Sequence, residues 1–582
     1  MDIFPYQEPR PFQREIYLTV YEALRRGRPA LINAPTGLGK TAAVLSAAVK
    51  YALETGVKIH YAVRTRNELV APLRELARLR ERGVEVDYVV IKSRQDMCCY
   101  AQMKKMEYLA FLAECNLLKA MGKCEYYPPK EVDVSLRDVN TYVKYLCALR
   151  TCPYEYAKER LDKATVAVST YYYVFGWERN LKGKVVIVDE AHALFDSVTS
   201  IYTLTATEQD LRAAYRECRK YGLVEEAGAI YRLLTLVRKT SGEVPDLLGE
   251  LEAVNLDAAV REIVKRKAEE GKSPYTPLLL VRELRNALKS RLGYIAEVRT
   301  VDSSKALVLT PIDPVSIVKK AVEEAVNTIY ISGTLPIKLF SEMLGLRDYY
   351  SLDISFRQYI PRENYISVID IGVTTRYQER GEEMYLKLAE RIAAVVNLSP
   401  GGVLAVFPSY EVMKAVRKYL RFSIPHWYEG GDGVSWGSLP EKFFIGAVAR
   451  GRYTEGVEYT AGGKNYLTTV VVVGVPYPEP SPYLDRRVEA LRPRMGELAW
   501  SAVYLYQALV SVRQAVGRLF RGPNDRGALI FLDRRYAEPE VWNNLRDLLE
   551  GSLIVNNVEE AADALEAFFT SSREAARGQW RL

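Results

Sequence analysis

APTGLGKT, residues 34 to 41, lies between a short apolar run, PALIN, and a helical run that continues to about Leu53. Strand, glycine turn and helix in that order form the setting of a phosphate-binding loop. Gly37 and Gly39 let the chain turn tightly enough for backbone amides and the helix N-terminus to point at phosphates. Lys40 can reach the outer phosphates as a point charge, and the Thr41 hydroxyl can hold magnesium. Pro35, Thr36 and Leu38 complete the loop, while Ala34 stands where the general pattern has a first glycine.

Upstream, FQREIYLTVYEALRR places Phe12, Ile16, Val20, Ala23 and Leu24 at helical spacing, and downstream VKIHYAV reads as a strand. This is the parallel α/β pattern of nucleotide-binding units, and it returns at KATVAVST and KVVIVDEAH. The carboxylates of DEAH, residues 189 to 192, would emerge at a strand's C-terminal end, where open α/β sheets bind ligands. Asp189 fits a magnesium partner, and Glu190 fits the base that orients or deprotonates the attacking water. Loop and DEAH together point to ATP hydrolysis. His192, one of three histidines, reads as a link between this site and Ser332, Gly333 and Thr334. In QAVGRLFR, Gln514, Arg518 and Arg521 share one helix face, from which cations could neutralise transition-state charge. Standing alone, that face would read as a solvated basic surface.

Residues from Asp196 to about Ser304 turn to charged helical segments, with Leu211, Ala214, Tyr215 and Cys218 on one stripe and Thr207 with Asp210 as a capping pair. Strand-like runs resume at NTIYISGTL and continue through GGVLAVFPSY, KFFIGAVARG, TTVVVVGVPY and GALIFLD, a second α/β unit. The 582 residues are 48% apolar and 26% charged, which excludes a disordered or fibrous chain and calls for several cores. A net charge of +7 permits phosphate binding without establishing it. The longest apolar stretch is about half the ~20 residues a bilayer span needs, and the start does not read as a signal peptide. The expectation is a cytoplasmic protein with no membrane partner. Grip on a nucleic-acid strand needs cations and aromatic faces; Arg64, Thr65, Tyr171 and Tyr172 are the candidates, with core packing the competing role for the tyrosines.

Six of seven cysteines fall between Cys98 and Cys152, which points to metal or redox chemistry. Spacing alone leaves a cluster, zinc, and packed thiols or disulfides open.

In order, Gln13 in RPFQRE, APTGLGKT, Arg64 and Thr65, SRQDMC, TCPYEYAK, VDEAH, IDP, ISGTLP, ARGRYTEGVEY, GVPY and QAVGRLFRG resemble the blocks of superfamily 2 helicases of the XPD family. SRQDMC and TCPYEYAK are the sharpest, because generic helicases lack them. The resemblance implies an α/β fold with two RecA-like parallel-sheet motor domains, and a small iron–sulfur domain and a helical arch inserted in the first. On this chain that places the first motor domain at 1–95, 153–195 and 305–345, the iron–sulfur domain at 96–152, the arch at 196–304 and the second motor domain at 346–582. It implies ATP and Mg2+, with Gln13, Glu455 and Gly456 added to the nucleotide contacts, and a 4Fe–4S cluster on Cys98, Cys115, Cys124 and Cys152, for which Cys99 and Cys147 compete. It implies a monomeric five-prime to three-prime DNA helicase acting on single-stranded and forked DNA in repair. A protein-displacing translocase and an ATP-gated scaffold are the alternatives. Two departures are Glu458, where the family has aspartate, and a short stretch between Phe407 and Lys442.

Overall fold

The β-branched runs flanking the glycine turn become strands Ala30–Asn33 and Lys58–Val63, buried on both faces over nearly their whole length. The computed structural model describes residues 3–35, 37–132, 138–176, 179–244, 247–431, 434, 439–455, 457, 459–461, 464–520, 522 and 524–578. In it these strands join a seven-stranded sheet in the order Tyr350–Asp353, Ala30–Asn33, Asn327–Ser332, Lys184–Asp189, Lys58–Val63, Val166–Thr170, Tyr88–Ile91. Every pairing in it is parallel. Parallel strands must be covered on both faces, which is why they read as continuous apolar runs. Helix Lys40–Thr55 supplies one cover, and its small residues Ala42, Ala43, Ala47 and Ala48 let it lie close.

A second seven-stranded parallel sheet runs His426–Tyr428, Phe444–Val448, Gly402–Phe407, Leu467–Val473, Gly527–Leu532, Tyr365–Asp370, Leu553–Val555. The two sheets share a continuous apolar cluster, from Leu31 and Val186 of the first to Leu404 and Leu529 of the second. At its middle the Phe195 ring lies 5.4 Å from Phe340 and 6.2 Å from Tyr506. Burial of these rings gives the two lobes a common packed seam.

Between Tyr88–Ile91 and Val166–Thr170 the chain leaves the first sheet for helices Tyr108–Ala120, Val139–Ala148 and Pro153–Arg160. Between Lys184–Asp189 and Asn327–Ser332 it leaves again and builds a separate core around Leu211, Ile230, Leu256, Ile263 and Leu284. Thr207 and Asp210 do form a reciprocal cap there, with Asp210 N donating to Thr207 Oγ1 at 3.2 Å and Thr207 N to Asp210 Oδ2 at 2.9 Å.

Two expectations need correction. The second insertion is not purely helical: strands Leu204–Thr207, Ser304–Pro311, Tyr294–Val301 and Gly242–Glu243 form an antiparallel sheet, and its hairpin of residues 294 to 311 crosses the expected limit at 304. Charged helical residues dominate the composition of that region and hide its strands. Tyr350–Asp353, assigned by resemblance to the second lobe, pairs with Ala30–Asn33 and so belongs to the first sheet. As a four-residue, half-exposed edge strand, it carries almost no apolar signal.

Candidate active site between the two lobes

The glycine loop is held from outside and from below. Ala34 N donates to Ser332 O at 2.9 Å, fixing the loop's entry to the neighbouring strand. Gly37 and Gly39 then adopt left-handed φ values of 92° and 75°, which side chains with a Cβ resist. Gln13 is buried and donates to Gly39 O at 3.0 Å while accepting from Arg10 N at 2.7 Å; Arg10 Nη1 donates to Gly37 O at 2.9 Å. Gln13 therefore shapes the loop directly. Gly39 offers no side-chain cap to helix Lys40–Thr55, so the first amides of that helix remain available to an anion. Lys40 is buried with Nζ 3.3 Å from Pro35 O. Leu38 is buried beneath the loop; Thr36 lies outside the described residues.

The carboxylates arrive from strand Lys184–Asp189. Tyr61, one strand away, donates its hydroxyl to Asp189 Oδ2 at 2.8 Å and also interacts with Thr41, so both candidate magnesium ligands meet one hydroxyl. Tyr61 was invisible to sequence reasoning, since a tyrosine within an apolar strand reads as core. Glu190 takes a left-handed φ of 53°, and its amide donates to Asp189 Oδ1 at 2.9 Å. That turn swings the Glu190 carboxylate to His192 Nδ1, 3.2 Å away, and the same nitrogen lies 2.8 Å from Ser332 Oγ. Ser332 Oγ accepts from Thr334 N at 3.1 Å, so the SGT turn does meet His192. Burial, reinforced by the charge of Glu190, pushes Asp189 well above the usual carboxylate range. Burial acts the same way on Glu190, but the hydrogen bond from His192, with the charges of Lys40 and Arg64 behind it, holds its proton affinity low. An oxygen-only pair with one member reluctant to ionise fits a hard divalent cation, whose charge would keep Asp189 deprotonated.

The opposite wall is helix Tyr506–Leu519 of the second lobe. Gln514 Nε2 lies 3.3 Å from His192 Nε2 and 3.4 Å from Glu455 Oε1. With Nδ1 donating to Glu190, Nε2 is placed to accept from Gln514. Tyr506 adds a hydroxyl donated to His192 O at 3.0 Å. Arg518 donates to three carbonyls, Thr454 O, Val457 O and Glu455 O, at 2.7, 2.8 and 2.9 Å, so it clamps the turn that presents Glu455. Arg521 and Gly456 lie outside the described residues, as does Glu458. Between the walls is a cleft of about 670 Å³, lined by Pro35, Glu190, Thr334, Glu455, Arg513 and Gln514 among others. Thr334 Oγ1 and Gln514 Oε1 are buried on its wall without a protein partner, groups that a ligand would satisfy.

Comparison with known proteins agrees with this geometry. A family model described as a helicase C-terminal domain matches residues 392–552, and one described as DEAD_2 matches residues 61–211. The ATP-dependent DNA helicase XPD of Sulfolobus acidocaldarius is 27% identical over 563 residues, spanning 93% of this chain and 98% of that protein. This chain belongs to the XPD family of helicases. The XPD/RAD3 helicase subunit of the general transcription and DNA repair factor IIH of Saccharomyces cerevisiae is 21% identical, spanning 92% of this chain and 87% of that one. A solved XPD helicase structure superposes with a TM-score of 0.70 at 25% identity, covering 94% of this chain and all of the other.

Beside the cleft of this XPD-family chain is a second cavity of about 700 Å³, lined by Arg64, Thr65, Arg66, Tyr172, Arg450 and Gln507 among others. Tyr172 is 49% exposed there, whereas Tyr171 is 2% exposed and donates its hydroxyl to Asp189 O. Tyr171 thus supports the DEAH turn from beneath, while both tyrosines border the cavity. Arg450, missed in the sequence, has a left-handed φ of 63° and donates to Gln507 Oε1. Crowding by protein lowers its proton affinity, against partial support from Asp196 and Glu455. Among the described residues no helix is long and apolar enough to cross a membrane.

Cys98, Cys115, Cys124 and Cys152 are half-buried, unpaired and arranged around one small cavity with Arg94, Tyr100, Phe111, Lys119 and Tyr126. Cys99 and Cys147, the competing ligands, form a disulfide. Burial pushes the thiols of Cys98 and Cys115 up, partly offset at Cys115 by Arg94 and Lys119, and pushes Cys152 to about 11. Among the described residues no three His, Cys, Asp or Glu side chains converge closely enough to hold a single metal ion.

Proposed function

We propose that this chain is an ATP-driven DNA helicase whose two lobes open and close on the nucleotide and thereby move a single strand. The observation that carries the reading is the hydrogen-bonded link from Glu190 through His192 to Gln514, which joins the water-activating carboxylate of one lobe to the facing helix of the other. A site in which the base and its positioning partner come from different lobes works only when the lobes are together. Hydrolysis and lobe movement are then one event.

In this reading the loop amides and Lys40 bind the triphosphate, Thr41 and Asp189 hold magnesium, and Glu190 takes the proton of the attacking water. Magnesium supplies charge neutralisation on the phosphates. Arg518 fixes the Glu455 turn; to reach a phosphate it must first exchange its three carbonyls. Arg64, Thr65, Arg66, Tyr172 and Arg450 grip the strand, cations on phosphates and the exposed ring on a base. The five-prime to three-prime polarity, monomeric state, cytoplasmic setting and repair role follow the family resemblance.

Cys98, Cys115, Cys124 and Cys152 are the proposed ligands of a 4Fe–4S cluster. Support comes from four unpaired thiols around a common cavity, from the removal of Cys99 and Cys147 into a disulfide, and from the preference of soft sulfur donors for iron–sulfur centres or zinc. The cluster would supply a covalent staple for a segment with little core of its own.

The test is strand displacement on duplexes with a five-prime or a three-prime overhang, with iron measured on the same sample. Unwinding only from the five-prime overhang supports the proposal. DNA-stimulated hydrolysis without displacement would favour a translocase, and hydrolysis indifferent to single strands would end the motor reading.

A further inference from the structure

Arg64, Thr65, Asn67, His192 and Glu455 line both cavities, so the Arg64–Glu455 pair partitions the nucleotide cleft from the strand cavity. The Arg64 backbone is tied to its own lobe, its amide donating to Glu68 Oε2 at 3.0 Å, while its guanidinium crosses to the other lobe and meets Glu455 Oε2 at 3.0 Å. The second oxygen of Glu455 faces Gln514 at 3.4 Å, Gln514 faces His192 at 3.3 Å, and His192 faces Glu190 at 3.2 Å. One carboxylate therefore connects a cation at the strand cavity to the residue that orients the base. The pair's side chains are 34% and 26% exposed, open enough to change partners. A half-exposed ion pair is weak, whereas arginine on a phosphate makes short, bidentate, charge-assisted bonds.

Resting on the motor reading above, we propose that Arg64 exchanges Glu455 for a backbone phosphate when a strand enters, and that this exchange is how bound DNA accelerates hydrolysis. With Arg64 withdrawn, the Glu455 carboxylate draws the Gln514 amide toward itself and away from His192 Nε2. An imidazole that loses a donor at Nε2 donates less strongly from Nδ1, so its hold on Glu190 loosens and the carboxylate can turn to the attacking water.

The experiment is steady-state ATP hydrolysis by the full chain, with and without an oligothymidylate, alongside strand affinity by fluorescence anisotropy. Wild type is compared with Glu455→Gln, with Arg64→Ala, and with the reversed pair carrying Arg64→Glu and Glu455→Arg. Glu455→Gln, which leaves no carboxylate to draw Gln514 from His192, should cut the strand's acceleration of hydrolysis at least about fivefold, the low end of ordinary coupling between two sites, and keep strand affinity. Arg64→Ala, which frees the Glu455 carboxylate, should raise the unstimulated rate by a similar factor while weakening strand binding and flattening its salt dependence. The reversed pair should return to a low unstimulated rate and ignore the strand. If Glu455→Gln hydrolyses ATP like wild type and responds to the strand by the same factor, the exchange is wrong. A collapse of its unstimulated rate would equally overturn it, because that is what a residue serving nucleotide alone would give. A wild type that ignores the strand would sink the motor reading, a distinct outcome.

Discussion

The nucleotide cleft and the cysteine-rich segment of residues 92–165 are built on opposite plans. In the cleft almost every candidate side chain already has a protein partner: Gln13 on Gly39, Tyr61 on Asp189, His192 on Glu190, Arg518 on three carbonyls. The cysteine segment leaves four thiols half-exposed and unpaired, and ties only Cys99 to Cys147. One region is organised before its ligand arrives; the other, in the proposed reading, would be organised by a bound centre. Pre-organised dipoles are what catalysis of phosphoryl transfer requires, whereas a small segment needs only a staple.

The contrast breaks most sharply at Lys40. Lys40→Ala should lower ATP hydrolysis by at least about a hundredfold and abolish unwinding, with strand affinity and melting temperature nearly unchanged, because the loop is held by Gln13 and Arg10 instead. A Lys40→Ala variant that still unwinds DNA refutes the motor assignment. Next in size, Cys124→Ser should lose iron and unwinding while keeping ATP hydrolysis within about tenfold of wild type, measured by iron content and visible absorbance beside the two assays. Unwinding that survives in this variant would count against a structural cluster. Smaller still is the effect of replacing both Cys99 and Cys147 by serine. A bridge across 48 residues contributes on the order of 2 to 4 kcal/mol, so hydrogen exchange within residues 92–165 should quicken while ATP hydrolysis does not change. Equal exchange rates in both proteins would show that the disulfide does not staple the segment.

The same contrast explains what could be read from the sequence. The cleft was legible at Gly37, Gly39, Lys40, Asp189 and Glu190 because phosphate and water chemistry restrict which residues can stand there, and the strand, turn and helix pattern located them. Tyr61, Arg450 and the Arg64–Glu455 pair were not legible, since a hydroxyl or guanidinium acquires its role only from a partner far off in the chain, here 128, 57 and 391 positions away. Tyr171 and Tyr172 show the limit most plainly: identical neighbours beside one cavity, one buried under Asp189 and one half-exposed, a difference that no local pattern sets. Among the cysteines, spacing could not tell ligand from disulfide because bridging depends on three-dimensional proximity, here 5.6 Å between the Cα atoms of Cys99 and Cys147. The sheets were legible at buried strands such as Ala30–Asn33, Lys184–Asp189 and Leu467–Val473, and missed at the buried Tyr88–Ile91 and Tyr365–Asp370 and at the short edge Tyr350–Asp353.

A pre-organised lobe should also fail by a different insult from the one that loosens the cysteine segment. His60, on the strand that carries Tyr61, is buried with Nε2 2.7 Å from Ser169 Oγ and Nδ1 without a partner. Burial, aided by the nearby charge of Lys184, lowers its pKa to about 3, against 6.5 for the free side chain. A depressed histidine pKa means that the unfolded chain binds the proton more readily. The stability it contributes is complete above pH 6.5 and is lost as the pH falls toward 3. At pH 5 the loss is about 2 kcal/mol, at 1.4 kcal/mol per unit. Urea unfolding of the first lobe should therefore steepen in its pH dependence below 6.5, and His60→Asn should flatten that slope whatever it does to stability at pH 7.5. Chelation at neutral pH should leave the lobe's unfolding midpoint alone and quicken exchange only in residues 92–165. Acid slopes that coincide in wild type and His60→Asn would remove His60 as the weak point of the lobe and shift the search to the buried carboxylates of the cleft.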